Sequence, residues 1–368
     1  MRIVVIGTRG IPNILGGVET HCEELYPRLA AMGHDVTIIR RKPYIADNNH
    51  ISEYRGVKLI DVYAPHRKSI EAIIHTFLAI IKAKRLKPDI LHIHAIGPAI
   101  LTPMARMLGM KVVMTNHGPD YDRQKWGRLA KWVLRTGERM GARYANKVIV
   151  ISKVIADILA TKYGRKDTVL IFNGVNTPTP APRRDYLDSI GLDGRQYIFA
   201  MGRFVKEKGF HDLIEAYTRS GLGERYALVL AGDSDHPDAY SRELKEMARS
   251  AGVILTGFIK GEPLRQCLSH AAIFAMPSYH EGLPIALLEA LSYRLDVAVS
   301  DIPANRIDAL RADDFFEVGN VQALADKLCE KLSNSGATPR RRDYDLKPYN
   351  WDIIARQTAD VYSSIIGR

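Results

Sequence analysis

Residues 2–41 read RIVVIGTRGIPNILGGVETHCEELYPRLAAMGHDVTIIRR, and this stretch decides the fold. An apolar run of strand length leads into a glycine-rich loop. A segment with helical apolar spacing follows, ending near Gly33, and then a second apolar run, HDVTIIRR. Strand, helix and strand in that order make a βαβ unit and call for a mostly parallel sheet. The alternation continues through DILHIHA (89–95), KVVMTNHG (111–118) and KVIVIS (147–152), until YGRKDTVLIFNGVNTPTPAPRRD (163–185) interrupts it with the prolines of a linker. It then restarts with QYIFAMGRF (196–204), DLIEAYTRS (212–220), YALVLAGDS (226–234), GVILTGFI (252–259), AAIFAMPS (271–278) and LDVAVSD (295–301). The expected fold is α/β, two Rossmann-like doubly wound domains facing a central cleft, at 1–178 and 190–349. A last helix, expected at 350–368, places Ile354, Thr358, Val361, Tyr362 and Ile365 on one face and should pack back on the first domain.

The bulk properties agree. A chain of 368 residues is too long for one ordinary core and right for two. Cys22, Cys267 and Cys329 are odd in number and far apart, which points to a reducing cytoplasm and to no structural zinc. No apolar run approaches the roughly 18 residues of a membrane span, and the start lacks the sections of a signal peptide. A net charge of +11 leaves nucleic acid, anionic lipid and phosphorylated substrates open as partners.

In doubly wound sheets ligands sit beyond the carboxyl ends of the strands, so chemistry is sought in the loops there. The first, GTRGIPNILGG, delivers Gly16 and Gly17 to a helix start, where backbone amides can meet a phosphate. A surface loop of turn formers would look the same. It is neither a Walker A loop nor a dinucleotide fingerprint, and the second strand ends on Arg40 and Arg41, where an NAD enzyme would want an acid. In MGRFVKEKGF, Arg203 and Lys208 lie after a strand, beside Gly202 and Gly209. Two cations there suit a diphosphate whose charge grows as it leaves. In MPSYHEGLPIALLEAL, Glu281 sits in a loop and Glu289 on the following helix, from which it can accept both hydroxyls of a ribose. Glu281 and the amides of the turn around Leu283 would face sugar and phosphate. Alone, each of these patterns also fits ordinary surface residues.

Together they carry a resemblance. GG-x-E at Gly16–Glu19, N-H-G at Asn116–Gly118, N-G-V at Asn173–Val175, G-R-F-x-x-x-K-G at Gly202–Gly209 and E-x7-E at Glu281–Glu289 occur in that order. The chain resembles glycosyltransferase family four, the large retaining GT-B group, and its opening resembles a bacterial rhamnosyltransferase-like subgroup. The resemblance implies that Gly17 contacts the diphosphate through its backbone, that Arg203 and Lys208 neutralise it, and that Glu289 holds the ribose. Glu281 would lie near the donor sugar and His117 at its reacting face. Base contacts are expected around Gly257 and Phe258, with Lys260 nearby. One departure is EGLP where many members have EGFG, so the pocket beside the sugar differs.

The expected activity is transfer of a hexose from a nucleotide-diphosphate sugar to a glycan or lipid-linked acceptor in bacterial cell-surface polysaccharide synthesis. A sugar-nucleotide epimerase of the same architecture, or a non-catalytic nucleotide-sugar scaffold, remains the alternative. Retention needs either a carboxylate nucleophile, for which Glu19, Asp120 and Asp122 are the first-domain candidates, or front-face attack, which the resemblance implies. No metal or other cofactor is expected, since Asp233 and Asp235 read as loop and capping residues. The charge has a location as well. Lys125, Arg128, Lys131, Arg135, Arg139 and Arg143 share an arc of about 120° on a helical wheel with Trp132, while Leu129, Val133 and Met140 lie on another face. With the basic segment 68–88, this face suits an anionic membrane, and nucleic acid lacks the aromatic platform it would need. The expected location is cytoplasmic, on the inner face of the membrane.

Overall fold

The computed structural model describes residues 1–46, 49–65, 71–122, 127–234, 237–333 and 339–367. The chain divides into two compact units, Met1–Gly174 with Pro348–Arg368, and Val175–Lys347.

The first unit holds strands β1 (Arg2–Ile6), β2 (Asp35–Arg41), β3 (Glu53–Tyr54), β4 (Val57–Val62), β5 (Ile90–His94), β6 (Val112–Asn116), β7 (Lys147–Val150) and β8 (Val169–Leu170). Its sheet runs β3-β4-β2-β1-β5-β6-β7-β8. Every pairing is parallel except β3 with β4. That hairpin is absent from the expected pattern; its turn is Arg55–Gly56, both at positive φ, the mirror-image turn that joins short antiparallel strands. Helices α1 (Gly17–Ala31), α2 (Glu71–Leu86), α3 (Thr102–Met107), α4 (Arg128–Tyr144) and α5 (Lys153–Tyr163) connect the strands.

The second unit holds β9 (Gln196–Met201), β10 (Tyr226–Ala231), β11 (Ile254–Gly257), β12 (Ile273–Met276), β13 (Val297–Ser300) and β14 (Phe315–Phe316). Its sheet is parallel in the order β11-β10-β9-β12-β13-β14. The helices are α6 (Asp185–Ser189), α7 (Phe210–Ser220), α8 (Ala239–Ser250), α9 (Glu262–His270), α10 (Ile285–Ser292) and α11 (Val321–Ser333). Both units are Rossmann-like, and in each the strand order reverses once, between β1 and β5 and between β9 and β12. A reversal opens a crevice at the carboxyl ends of the two strands, where such sheets bind ligands.

The last helix, α12 (Trp351–Ile366), starts on Asn350, whose side chain caps the amides of Asp352 and Ile353. It buries Trp351, Ile354, Val361, Tyr362 and Ile365 in one core with Cys22, Leu25 and Leu29 of α1 and Ile3 and Val5 of β1. At about 1.5–3 kcal/mol per fully buried large apolar side chain, this contact is a major part of the first unit's stability. Gly174 is needed there, because a Cβ on it would stand 2.5 Å from the Trp351 ring.

Candidate active site

In the first unit the loop after β1 is held down from both ends. Glu19 is buried and accepts from the backbone N–H of Arg9 at 3.0 Å and from the Thr8 hydroxyl at 3.3 Å. Gly16, the residue before α1, has φ +148°, and a Cβ on it would lie 2.1 Å from Oε2 of Glu19. Gly17 opens the helix with no atom within 4 Å of its Cβ position. Glu19, a candidate nucleophile in the sequence, is instead a tether for this loop, spent on Thr8 and Arg9. Asp120 lies in a short turn after Gly118, and the side chain of Asp122 lies outside the described residues.

Arg40 and Arg41 are also spent inside the protein. The Arg40 guanidinium, 1% exposed, donates to Asp61 at 2.6 Å and to the carbonyls of Ile11, Asn49 and Ile51. Arg41 donates to Glu71 at 2.9 Å. Both guanidiniums are thus engaged within the protein, and neither is poised for the 2′-phosphate of a dinucleotide.

At the end of β6, Asn116 shapes the turn that carries His117. Its side-chain oxygen accepts from the Gly118 N–H at 2.9 Å and its amide donates to Glu138 at 3.0 Å. Glu138 is fully buried on α4 and also accepts from Tyr121 and Tyr163. His117 is half-buried, and its Nε2 lies 2.8 Å from Nδ1 of His94 at the end of β5. His21 on α1 closes the group, with its ring 5.0 Å from His117 and its Nδ1 3.0 Å from Asn173. Burial pushes the His21 imidazole down to about 4 against the hydrogen bond to the Asn173 side-chain oxygen. Burial first, and neighbouring histidines second, hold His94 and His117 well below the ordinary histidine value.

These three histidines are the group, among the described residues, whose ligand atoms lie close enough to share a metal ion, within 4.8 Å. Both nitrogens of His94 are already hydrogen-bonded, to His117 and to Tyr26. His21, His92, His94 and Glu138 were missed in the sequence. The signal for two of them was H-I-H on an apolar strand, since residues two apart share a face.

In the second unit the loops after β9, β10 and β12 interlock. The Phe204 N–H donates to the Asp233 carbonyl at 3.0 Å, and the Tyr279 N–H to the Glu207 carbonyl at 2.8 Å. Gly209, at φ +65°, passes so close to the Pro277 carbonyl that a Cβ would stand 2.1 Å from it. That approach brings Lys208 and Glu281 together, Nζ to Oε1 at 2.6 Å, with side chains 19% and 10% exposed. The sequence assigned them to separate ligand groups; the structure makes them an ion pair flanking the β9/β12 reversal. Burial pushes the Glu281 carboxyl up, but the Lys208 charge and hydrogen bond outweigh it and hold the group below its ordinary value.

Arg203 is half-buried in the same loop system, and Glu289 is half-buried on the second turn of α10. Gly257 ends β11 at φ +69°, followed by Phe258, 44% exposed. The Leu283 side chain is buried, so that residue offers a ligand its backbone only. Asp233 is taken up by Lys245 at 2.7 Å and by the Ser234 N–H, while Asp235 lies outside the described residues. Gly16, Gly17 and His117 thus belong to the first unit, and Arg203, Lys208, Gly257, Phe258, Glu281, Leu283 and Glu289 to the second.

On α4, Arg128, Arg135, Arg139 and Arg143 are exposed and Lys131 is half-buried, whereas Lys125 and residues 68–70 lie outside the described residues. Trp132 is 62% exposed and Leu129 75%. Leu129 does not turn inward with Val133 and Met140, because α4 docks through Gly137, Glu138, Gly141 and Ala142 in its second half and its first turns ride free. No described helix is long and apolar enough to cross a membrane.

Residues 15–178 match the family described as Glycosyltransferase Family 4, and residues 183–347 the one described as Glycosyl transferases group 1. The chain is 26% identical to the alpha-maltose-1-phosphate synthase of Mycolicibacterium smegmatis over 99% of its own length and 100% of that protein's. It is 28% identical to the putative teichuronic acid biosynthesis glycosyltransferase TuaC of Bacillus subtilis, over 77% and 76%. Among solved structures, Anabaena HepE in complex with UDP-glucose superposes with TM-score 0.79 at 17% identity, covering 99% of each chain. Two family matches that follow one another along the two Rossmann-like units, on a fold shared with such enzymes, identify the chain as a glycosyltransferase of the GT-B fold.

Proposed function

We propose that the chain transfers a hexose, with retention, from a nucleotide-diphosphate sugar to a glycan or lipid-linked acceptor of a bacterial surface polysaccharide. The observation that carries this reading is the Lys208–Glu281 pair beside Arg203 at the β9/β12 reversal. Cations fixed at the carboxyl end of a sheet stabilise a departing nucleoside diphosphate without reorganising. UDP-glucose in the HepE complex supports the donor class, and teichuronic acid synthesis in the Bacillus relative supports a surface glycan.

In this reading Arg203 and Lys208 take up the charge that develops on the diphosphate, and Glu289 accepts from the ribose hydroxyls. Glu281 holds Lys208 in place and meets the sugar. The displacement is front-face: the bond from the anomeric carbon to phosphate breaks, the acceptor oxygen bonds to that carbon on the same side, and the acceptor proton passes to a phosphate oxygen. Glu19 being a tether supports this over a double displacement. The chemistry proposed is metal-independent.

The first unit carries 30 lysines and arginines against 16 aspartates and glutamates, net +14, and the second 22 against 25, net −3. All of the excess positive charge therefore lies in the unit with the exposed Arg128–Trp132 face. That supports peripheral binding of this unit to an anionic, cytoplasm-facing membrane where a lipid-linked acceptor is presented.

The test is calorimetry with UDP, GDP, dTDP and their sugars, with NADPH as control. One nucleoside diphosphate should bind, and Glu289→Ala should weaken it by at least tenfold, about 1.4 kcal/mol. Binding of NADPH alone, or unchanged affinity in Glu289→Ala, sinks the assignment.

A further inference from the structure

Behind His117 the first unit buries a row of hydrogen-bonded rings that the transfer reaction does not yet use. Nε2 of His117 lies 2.8 Å from Nδ1 of His94. Nε2 of His94 meets the hydroxyl of Tyr26, which lies 2.9 Å from Nδ1 of His92. The Tyr362 hydroxyl of α12 approaches the same Nδ1 to 2.6 Å, and Nε2 of His92 is 2.7 Å from Oγ1 of Thr115. Tyr26, His92, His94, Thr115 and Tyr362 are 0–1% exposed.

Burial pushes His92 down to about 3, with the nearby His21 adding to it, and holds His94 and His117 well below the ordinary value. Near neutral pH each of these rings therefore has one N–H and one lone pair, and every contact in the row needs one donor and one acceptor. Two tyrosine hydroxyls converge on Nδ1 of His92. If that nitrogen accepts, the nearer hydroxyl, Tyr362, fills it; if it donates, both phenol oxygens accept. The Tyr26 and Tyr362 hydroxyls also share a hydrogen bond, but of the two ring nitrogens that Tyr26 meets, Nε2 of His94 is the nearer, and the Tyr26 proton is placed there. A phenol is also a better donor to an imidazole lone pair than an imidazole N–H is to a phenol oxygen. With Nε2 of His94 accepting, Nδ1 of His94 carries the proton and donates to Nε2 of His117.

We propose that Tyr26 and His94 are positioning residues that fix His117 as the Nδ1–H tautomer, so that it offers a donor to an oxygen of the bound sugar and has no lone pair for the acceptor's proton. The nature of the ligand rests on the transferase reading; the tautomer does not. Nδ1 of His117 is the nitrogen that the row leaves open, and the ring is half-buried. The proposal also requires the acceptor proton to go elsewhere, which front-face transfer to the leaving phosphate provides.

The test is nitrogen NMR of the full chain labelled with 15N-histidine at pH 7.5, using long-range proton correlations that report which ring nitrogen is protonated. The His117 signals are assigned by their loss in His117→Gln. A neutral His117 protonated on Nδ1 is expected, moving towards Nε2–H in Tyr26→Phe, where His94 has lost its donor. Kinetically, Tyr26→Phe should lower kcat about tenfold with donor KM within twofold. A wild-type His117 protonated on Nε2, or doubly protonated, overturns the proposal, and this spectrum decides even where Tyr26→Phe does not fold. The nucleotide panel fails independently: an Nδ1–H histidine in a protein that binds no nucleoside diphosphate would keep the tautomer and lose the transferase reading.

Discussion

The two units solve opposite electrostatic problems. The first has a surface of net +14 around a polar centre of buried neutral imidazoles, and the second has a net charge of −3 and a centre built on a lysine, an arginine and carboxylates. The reason lies in what each centre touches. A phosphate-binding loop can keep its ions because they pair with each other and stay partly wet. A buried row of histidines cannot, because an unpaired imidazolium without water costs too much and the ring gives up its proton instead. The first centre is thus organised by the direction of hydrogen bonds and the second by charge.

The largest effect that follows is on acid stability. His21 and His75 are pushed down to about 4 and His92 to about 3, burial being the main cause in each. In the unfolded chain they titrate near 6.5, so between about 6.5 and 4 the unfolded state binds protons that the folded state refuses. Stability is complete above that window and falls with pH inside it, by up to about 1.4 kcal/mol per pH unit for each histidine. Glu281, with its value lowered, behaves differently: its contribution is present above about 4 and is lost only as the pH falls through its lower folded value. The first unit should unfold first. All three tryptophans, Trp126, Trp132 and Trp351, belong to it. Tryptophan fluorescence should therefore change at higher pH than the last calorimetric transition. Coincident transitions would break the contrast.

Lys208→Ala comes next. It removes a cation from the leaving group and strands Glu281, and should lower kcat/KM by about 10² to 10³, with Glu281→Gln milder because Lys208 keeps its charge. A Lys208→Ala enzyme within tenfold of wild type would remove Lys208 from the chemistry.

The legibility of the two units in the sequence differs for the same reason. In the second, the residues assigned to the donor follow strands closely, so Arg203, Lys208, Glu281 and Glu289 could be proposed from local motifs, and all but Glu289 lie in the interlocked loops. What the motifs did not show is that Lys208 and Glu281 meet, because that depends on how closely Gly209 passes Pro277. In the first unit, His117 was legible from N-H-G. The groups behind it, Tyr26, His92 and Tyr362, read locally as core, and the His92–Tyr362 contact alone spans 270 residues. The alternation of strand and helix gave the sheets, but not the β3–β4 hairpin, whose signal was only a two-residue turn, nor the exposure of Leu129, which is set by where α4 touches its neighbours.

The smallest effect concerns the surface and carries the comparison outside the protein. An exposed arginine near an anionic bilayer contributes about 1 kcal/mol, so Arg128→Ala should weaken partition onto vesicles of mixed zwitterionic and anionic lipid about fivefold. Trp132→Ser should act in the same direction by removing an interfacial ring. Arg249→Ala, an exposed charge of the same sign on the second unit, should change nothing measurable. The decisive feature is that asymmetry, because a general response to net charge would lower partition equally in both arginine variants. Raising the salt should weaken wild-type binding and shrink the difference made by Arg128, as screening requires. Equal losses from Arg128→Ala and Arg249→Ala would mean that the +14 of the first unit is a diffuse solubilising charge and that α4 is not a membrane-facing surface.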